Sequence, residues 1–174
     1  DFQRTRGVLR FLAKVVSDQY QEQNDTPLIQ CGQLNMGDEA VRDEVLDYLE
    51  EGWDSVISSD IAGDDSKSAQ IDRQMGGIYH SKRVTQSLAA SLFLFSQGGG
   101  QQRGATLERL RFGVLQPGMD TPLIADAISR CEDTFFYLYE EDRFYRFTKT
   151  PNLNRVVAEY ETNVDDDDKV REIR

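Results

Sequence analysis

The chain predicts a mainly α-helical fold with one small β-hairpin, and three observations carry that prediction. Phe135 to Tyr139 is a run of aromatic and apolar residues of the kind that favours strands. Glu140-Glu141-Asp142 interrupts it, and Arg143 to Phe147 resumes with near period-two spacing, which reads as a hairpin with an acidic tip. In front of it, Leu123, Ile124, Ala127, Ile128 and Cys131 fall on one face of a helix over 121–133. Further apolar stripes of helical period lie upstream. A helix feeding directly into a two-stranded wing, with helices before it, is the winged-helix pattern.

Taken in order, Phe2 to about Gln21 is a helix: Val8, Leu9, Leu12, Val15, Val16 and Tyr20 give a stripe, with Arg4, Arg6 and Arg10 beside it. Asn24-Asp25-Thr26-Pro27 ends it, and Pro27 to Gln30 reads as a short strand or an extended crossing. Asp38 caps a second helix that carries Val41, Val45, Tyr48 and Leu49 and stops at Gly52. Trp53 to Ile61 continues as a short helix or turn. A polar loop over 62–68 leads into a short helix through Met75, broken by Gly76-Gly77. Ser81 is the expected cap of the most apolar helix, with Val84, Leu88, Leu92 and Phe95 on one face and Ala89, Phe93 and Leu94 broadening it. Gly98 to Gln102 is a flexible loop. Thr106 to Leu115 is a short helix ended by Pro117-Gly118, and Asp120 or Thr121 caps the next, with Pro122 in its first turn. Thr150-Pro151-Asn152 opens a last helix with Leu153, Val156, Val157 and Tyr160. Asp165 to Asp168 is an acidic run in a tail expected to be disordered.

Composition sets limits. A chain of 174 residues with 39% apolar content holds enough material for one packed core. No stretch of eighteen apolar residues exists and no signal peptide opens the sequence, so a cytoplasmic protein without membrane contact is expected. The helical pattern begins with no lead-in and no Met, which suggests a piece of a longer chain. Cys31 and Cys131 are expected to be reduced thiols. The net charge of -11 argues against nonspecific binding of nucleic acid. Asp supplies 19 of the 31 acids and Lys 5 of the 20 bases. That bias resembles the surfaces of salt-adapted (halophilic) proteins, whose charge interactions are screened; an ordinary acidic protein is the other reading.

Catalytic and metal-binding patterns are lacking. The glycines at 98–100 are followed by Gln101-Gln102-Arg103 and not by the Lys-Ser or Lys-Thr of a phosphate loop. His80 has no paired nucleophile and reads as a surface residue. Asp54, Asp60, Asp64 and Asp65, with Ser55, Ser58 and Ser59, miss the spacing of a calcium loop and read as solvated. One histidine and two cysteines give no metal-ligand cluster. The helix before the wing offers Asp126, Ser129, Arg130, Glu132 and Asp133, a poor face for reading bases. Contact with DNA or a protein partner would fall to Arg103, Arg109, Arg111, Arg130, Arg143 and Arg146.

The segment GVLRFLA, with Gly7 and Arg10 ahead of an apolar helix face, resembles the sensor-two helix in the lid of AAA+ ATPases. Joined with FQRTRGVLRFLA, VRDEVLDYLEEGWDSVISSD, RVTQSLAASLFLFS, GVLQPG and FYRFTKTPNLNRV, the chain is similar to the region after the ATPase core in large prokaryotic AAA+-like proteins of unknown function. These are often encoded beside DNA methylases in phage-defence islands. The resemblance spans most of residues 2–160. It implies a lid helix over 1–23, a helical connecting segment over 24–78, a winged-helix domain over 79–162 and an acidic tail over 163–174. It also implies that Arg10, with Arg6 as substitute, reaches the terminal phosphates of a nucleotide, as guanidinium–phosphate chemistry allows. No Walker motif is present. The expectation is a non-catalytic fragment with no cofactor of its own, whose parent binds ATP with magnesium. Its partners would be the upstream ATPase core of the same chain, DNA or a DNA methylase, with oligomers formed through the parent. The alternatives are a stand-alone winged-helix DNA-binding regulator and an oligomerisation or scaffold module.

Overall fold

A computed structural model describes residues 2–23, 28–98 and 103–163, with side chains from Thr5 to Tyr160. It is mainly helical, with nine α-helices among the described residues and a three-stranded antiparallel sheet. Helix α1 (Phe2–Gln21) is followed by a 3-10 turn (Cys31–Gln33), α2 (Glu39–Leu46), and α3 (Trp53–Val56), which runs into a π-turn (Ile57–Ile61). Then come α4 (Lys67–Met75), α5 (Gly77–Lys82), α6 (Val84–Gln97), β1 (Ala105–Thr106), α7 (Leu107–Val114), α8 (Thr121–Thr134), β2 (Leu138–Glu141), β3 (Phe144–Phe147) and α9 (Leu153–Asn163). None of these helices is long and apolar enough to cross a membrane. The segment 24–27 expected to end the first helix, the loop at 99–102 and the tail at 164–174 lie outside the described residues.

The core is organised around α6. Val84, Leu88, Leu92 and Phe93 are fully buried, and the helix packs on the 3-10 turn, α4, α7, α8 and β3. Each such side chain contributes roughly 1.5–3 kcal/mol through removal of apolar surface from water. Trp53 meets Phe93 edge-on at 5.6 Å, which ties α3 to this centre. One hydrophobic cluster runs from Val15 to Phe147.

Ser81 does not cap α6. It lies inside α5, and Arg83, with φ 48°, forms the joint between the two helices. The first turn of α6 is satisfied from another helix: the buried Asp72 carboxylate of α4 accepts from Thr85 N at 2.8 Å and Gln86 N at 3.2 Å. Asp38 and Ser66 cap α2 and α4 by accepting from Val41 N and Ala69 N. Helix α2 ends at Leu46, before Gly52, which precedes α3 in a left-handed conformation.

The sheet exceeds the expected hairpin by one strand. Strand order is β1-β3-β2; Leu138 pairs with Phe147 and Glu141 with Phe144 in the hairpin, and Ala105 pairs with Tyr145 on the other edge of β3. Gly104 sets this edge, because a Cβ there would stand 2.1 Å from the Tyr145 carbonyl oxygen. Glu140 and Glu141 belong to β2 and not to the tip. The turn is Asp142-Arg143, both at positive φ (53° and 63°), the geometry of a two-residue hairpin loop that matches strand twist. Glu140 accepts from Arg143 N and braces it.

Candidate functional site

The two sets of arginines singled out by sequence lie on different parts of the molecule. On α1, Gly7 is buried against Tyr48, and an added Cβ would fall 2.2 Å from the Tyr48 hydroxyl. This close approach lets the next turn lie over α2. There, Arg10 Nε and Nη2 donate to Glu44 Oε1 at 3.1 and 2.7 Å, and Lys14 Nζ pairs with Glu44 Oε2 at 2.9 Å. Glu44 is only 3% exposed, and the Lys14 and Arg10 hydrogen bonds hold its carboxyl below the usual range. Arg10 is raised in turn by Glu44. Arg10 is thus partly engaged in fastening α1 to α2, although its side chain remains more than half exposed. Arg6, one turn earlier, is exposed and has no ion pair with a described residue.

The apolar stripe of α1 points outward. Leu9, Leu12, Val16 and Tyr20 are 62%, 49%, 54% and 84% exposed, whereas Gly7, Phe11 and Val15 form the inner face. Beside it, Gly7, Val8, Phe11, Val45, Tyr48 and Leu94 line an apolar groove of about 330 Å³. Isolated exposed apolar residues are ordinary, but a continuous stripe on a helix face marks a surface made for contact.

The second set is spread over α7, α8 and the hairpin. Arg109 stacks over the Phe95 ring at 4.5 Å. Arg111 is half-buried, and its Nε has no acceptor among the described residues. Arg130 is paired with Asp126 at 2.9 Å, and Tyr79 donates to the same carboxylate at 2.5 Å; burial, then Asp126, pushes the Tyr79 phenol up. Arg146 pairs with Glu141 at 3.3 Å. Arg103 and Arg143 are exposed. The outer face of α8 therefore offers an internally neutralised arginine among carboxylates, a poor match for phosphates or base edges.

Three features were not foreseen. Phe112 on α7 is 84% exposed, off the stripe that Leu110 and Val114 bury. Glu44 gave no signal because its two cations lie at distant positions in the chain. Asp60, expected in solvent with its neighbours, is fully buried in the π-turn, where it accepts from Phe136 N at 3.2 Å and Tyr137 N at 2.7 Å. Burial pushes its carboxyl upward against those two donors, and Asp72 is raised the same way. The sequence carries no signal for this, because the donors to Asp60 lie 76 and 77 positions away. His80 is exposed, Cys31 and Cys131 are free thiols, and no metal-binding group of side chains occurs among the described residues.

Comparison with protein-family models, with curated proteins and with solved structures gives no match, so the functional reading rests on residues and geometry.

Proposed function

We propose that α6 to β3 is a winged-helix module and that α1 is the lid helix of a AAA+-like ATPase, together passing nucleotide state to DNA or to a partner protein. The order helix, strand, helix, helix, hairpin, with β1 joined to the free edge of β3, supports the winged-helix reading. The observation that carries the role is the outward stripe of α1, Leu9, Leu12, Val16 and Tyr20, edged by Arg6 and Arg10. An apolar strip bordered by guanidinium groups suits a neighbouring domain that binds a polyanion. The upstream ATPase core of a longer chain is such a neighbour, in the defence setting implied by the family it resembles.

The terminal phosphates of bound ATP would supply the anion. Arg6 and Arg10 fit it by charge and by the forked geometry of guanidinium. Magnesium would be held by the core, since the described residues provide no ligand cluster for it. Glu44 would serve as the resting partner of Arg10, with Lys14 remaining on the carboxylate when Arg10 leaves. The lid would then change its seat on α2 according to nucleotide state.

The test is turnover in the longer protein. Arg10→Ala should lower ATP hydrolysis by at least about tenfold while leaving thermal unfolding little changed; unaltered turnover removes Arg10 from the site. A second reading, an oligomerisation module, draws on the same stripe. It predicts concentration-dependent self-association in sedimentation that Leu12→Glu abolishes.

A further inference from the structure

We infer that α9 is a releasable strap across the joint between α8 and the hairpin, and that its detachment loosens the hairpin while the core stays folded. The joint is Phe135 to Leu138, and its backbone is held from two sides. On one side, Asp60 of the π-turn accepts from Phe136 N and Tyr137 N at 3.2 and 2.7 Å. On the other, α9 and the residue before it cover the carbonyls. Arg155 Nη1 donates to the oxygens of Phe135 and Leu138 at 2.7 and 2.9 Å, and Asn152 N donates to that of Phe136 at 2.7 Å. Lys67 of α4 bridges the two sides. Its ammonium stands 4.7 Å from the centre of the Phe136 ring, pairs with Glu159 of α9 at 2.5 Å and favours the ionised Asp60 carboxylate.

The way α9 faces sets it apart from the core helices. Leu153, Val157 and Tyr160 share one stripe and are 69%, 52% and 70% exposed, whereas Arg155 and Glu159 turn inward. None of its described side chains, Leu153 to Tyr160, is buried, and none joins the hydrophobic cluster. Burial of apolar surface therefore adds little to its attachment, which rests on a few polar bonds. An ion pair whose carboxylate is 39% exposed is weak. The joint beneath is different: Phe135 is sealed and stacks on Phe147 at 6.0 Å. A helix without buried apolar contacts, lying over a sealed segment, opens by itself before the molecule unfolds. Three carbonyls of the joint then lose a donor, and Asp60 holds it from one side only. The device depends on the geometry of the joint and not on the nucleotide role of α1.

The test is amide hydrogen exchange of the full chain, resolved by NMR in low urea. The α9 amides from Val156 to Tyr160 should exchange roughly a hundredfold faster than those of Leu88 to Phe93 in α6, through an opening that urea does not promote. Arg155→Met keeps an aliphatic stem and removes the donor. It should speed exchange at Phe136, Tyr137 and Thr148 by roughly tenfold and leave α6 unchanged. Glu159→Gln, at a partly exposed position that does not threaten folding, should act in the same direction by roughly twofold. Arg130→Met, which breaks an ion pair on α8, should leave the three joint amides as they are. The inference is overturned if α9 exchanges only by whole-molecule opening. It is equally overturned if both variants speed α9 while the joint amides stay put. A rise at α6 in step with α9 would make the helix part of the core and sink the idea as well.

Discussion

Helices α1 and α6 carry the same signature in sequence, apolar residues at helical spacing, and meet opposite fates. Every position of the α6 stripe from Val84 to Phe93 is sealed by other elements, whereas α1 buries Val15 and turns Leu9, Leu12, Val16 and Tyr20 away from the molecule. Periodicity reports that a helix has an apolar face. It does not report who covers it. In α6 the cover is the rest of this chain; in α1 it is absent among the described residues, which supports the proposal that another body covers α1.

Substituting one side chain on each helix tests this difference. Phe93→Ala should destabilise the fold by about 3–5 kcal/mol in urea unfolding, since it empties a closely packed site beside Trp53. A cost below about 1 kcal/mol would show that α6 is less sealed than its burial implies. Next in size is Asp60→Ala, which strands the Phe136 and Tyr137 amides and should cost about 1–3 kcal/mol in the same assay.

Asp60 also gives a pH signature. Its pKa is raised by folding above the usual 3.8, so the protein gains most from this group below that value and loses ground as pH climbs through the raised one. The melting temperature of the wild type should therefore fall relative to Asp60→Asn as pH rises from about 4 toward neutrality. A constant gap between the two would contradict the assignment. Glu44 runs the other way: its lowered pKa gives stability above the usual 4.5 that disappears in acid, and Glu44→Gln should blunt that acid loss.

Smaller effects follow. Arg143→Gly should stabilise the hairpin by about 0.5–1 kcal/mol, because a residue with a Cβ now occupies a left-handed turn position. Smallest is Leu12→Glu, expected to change the stability of this chain by no more than about 0.5 kcal/mol. The same substitution should cost several times more wherever another body covers α1, which measures directly what the stripe is for.

Much of the helical scaffold was legible because it follows from local rules. Asp38 before Val41, Pro122 after Asp120 and the 3.6-residue recurrence of Ile124, Ala127, Ile128 and Cys131 each place an element without reference to the rest of the chain. Several of the misses involve partners far apart in sequence. Strand β1 is two residues long and exists only because β3 lends it an edge; Ala105-Thr106 has no period to read. The cap of α6 comes from Asp72 across a helix boundary, so Ser81, the nearest local candidate, was the wrong choice. The candidate surfaces were half visible. The arginines were identifiable by type, but whether each was already engaged, as Arg130 is by Asp126 and Arg10 is by Glu44, depended on folding.

The Asp60 carboxylate bears on where this protein can be divided. It belongs to the turn after α3, yet it holds the amides at the root of the hairpin, 76 and 77 positions downstream. A scissor placed between α5 and α6 to liberate the wing would discard its anchor and leave two donors facing an empty socket. A piece that keeps these two bonds must therefore include Asp60 and the turn that carries it.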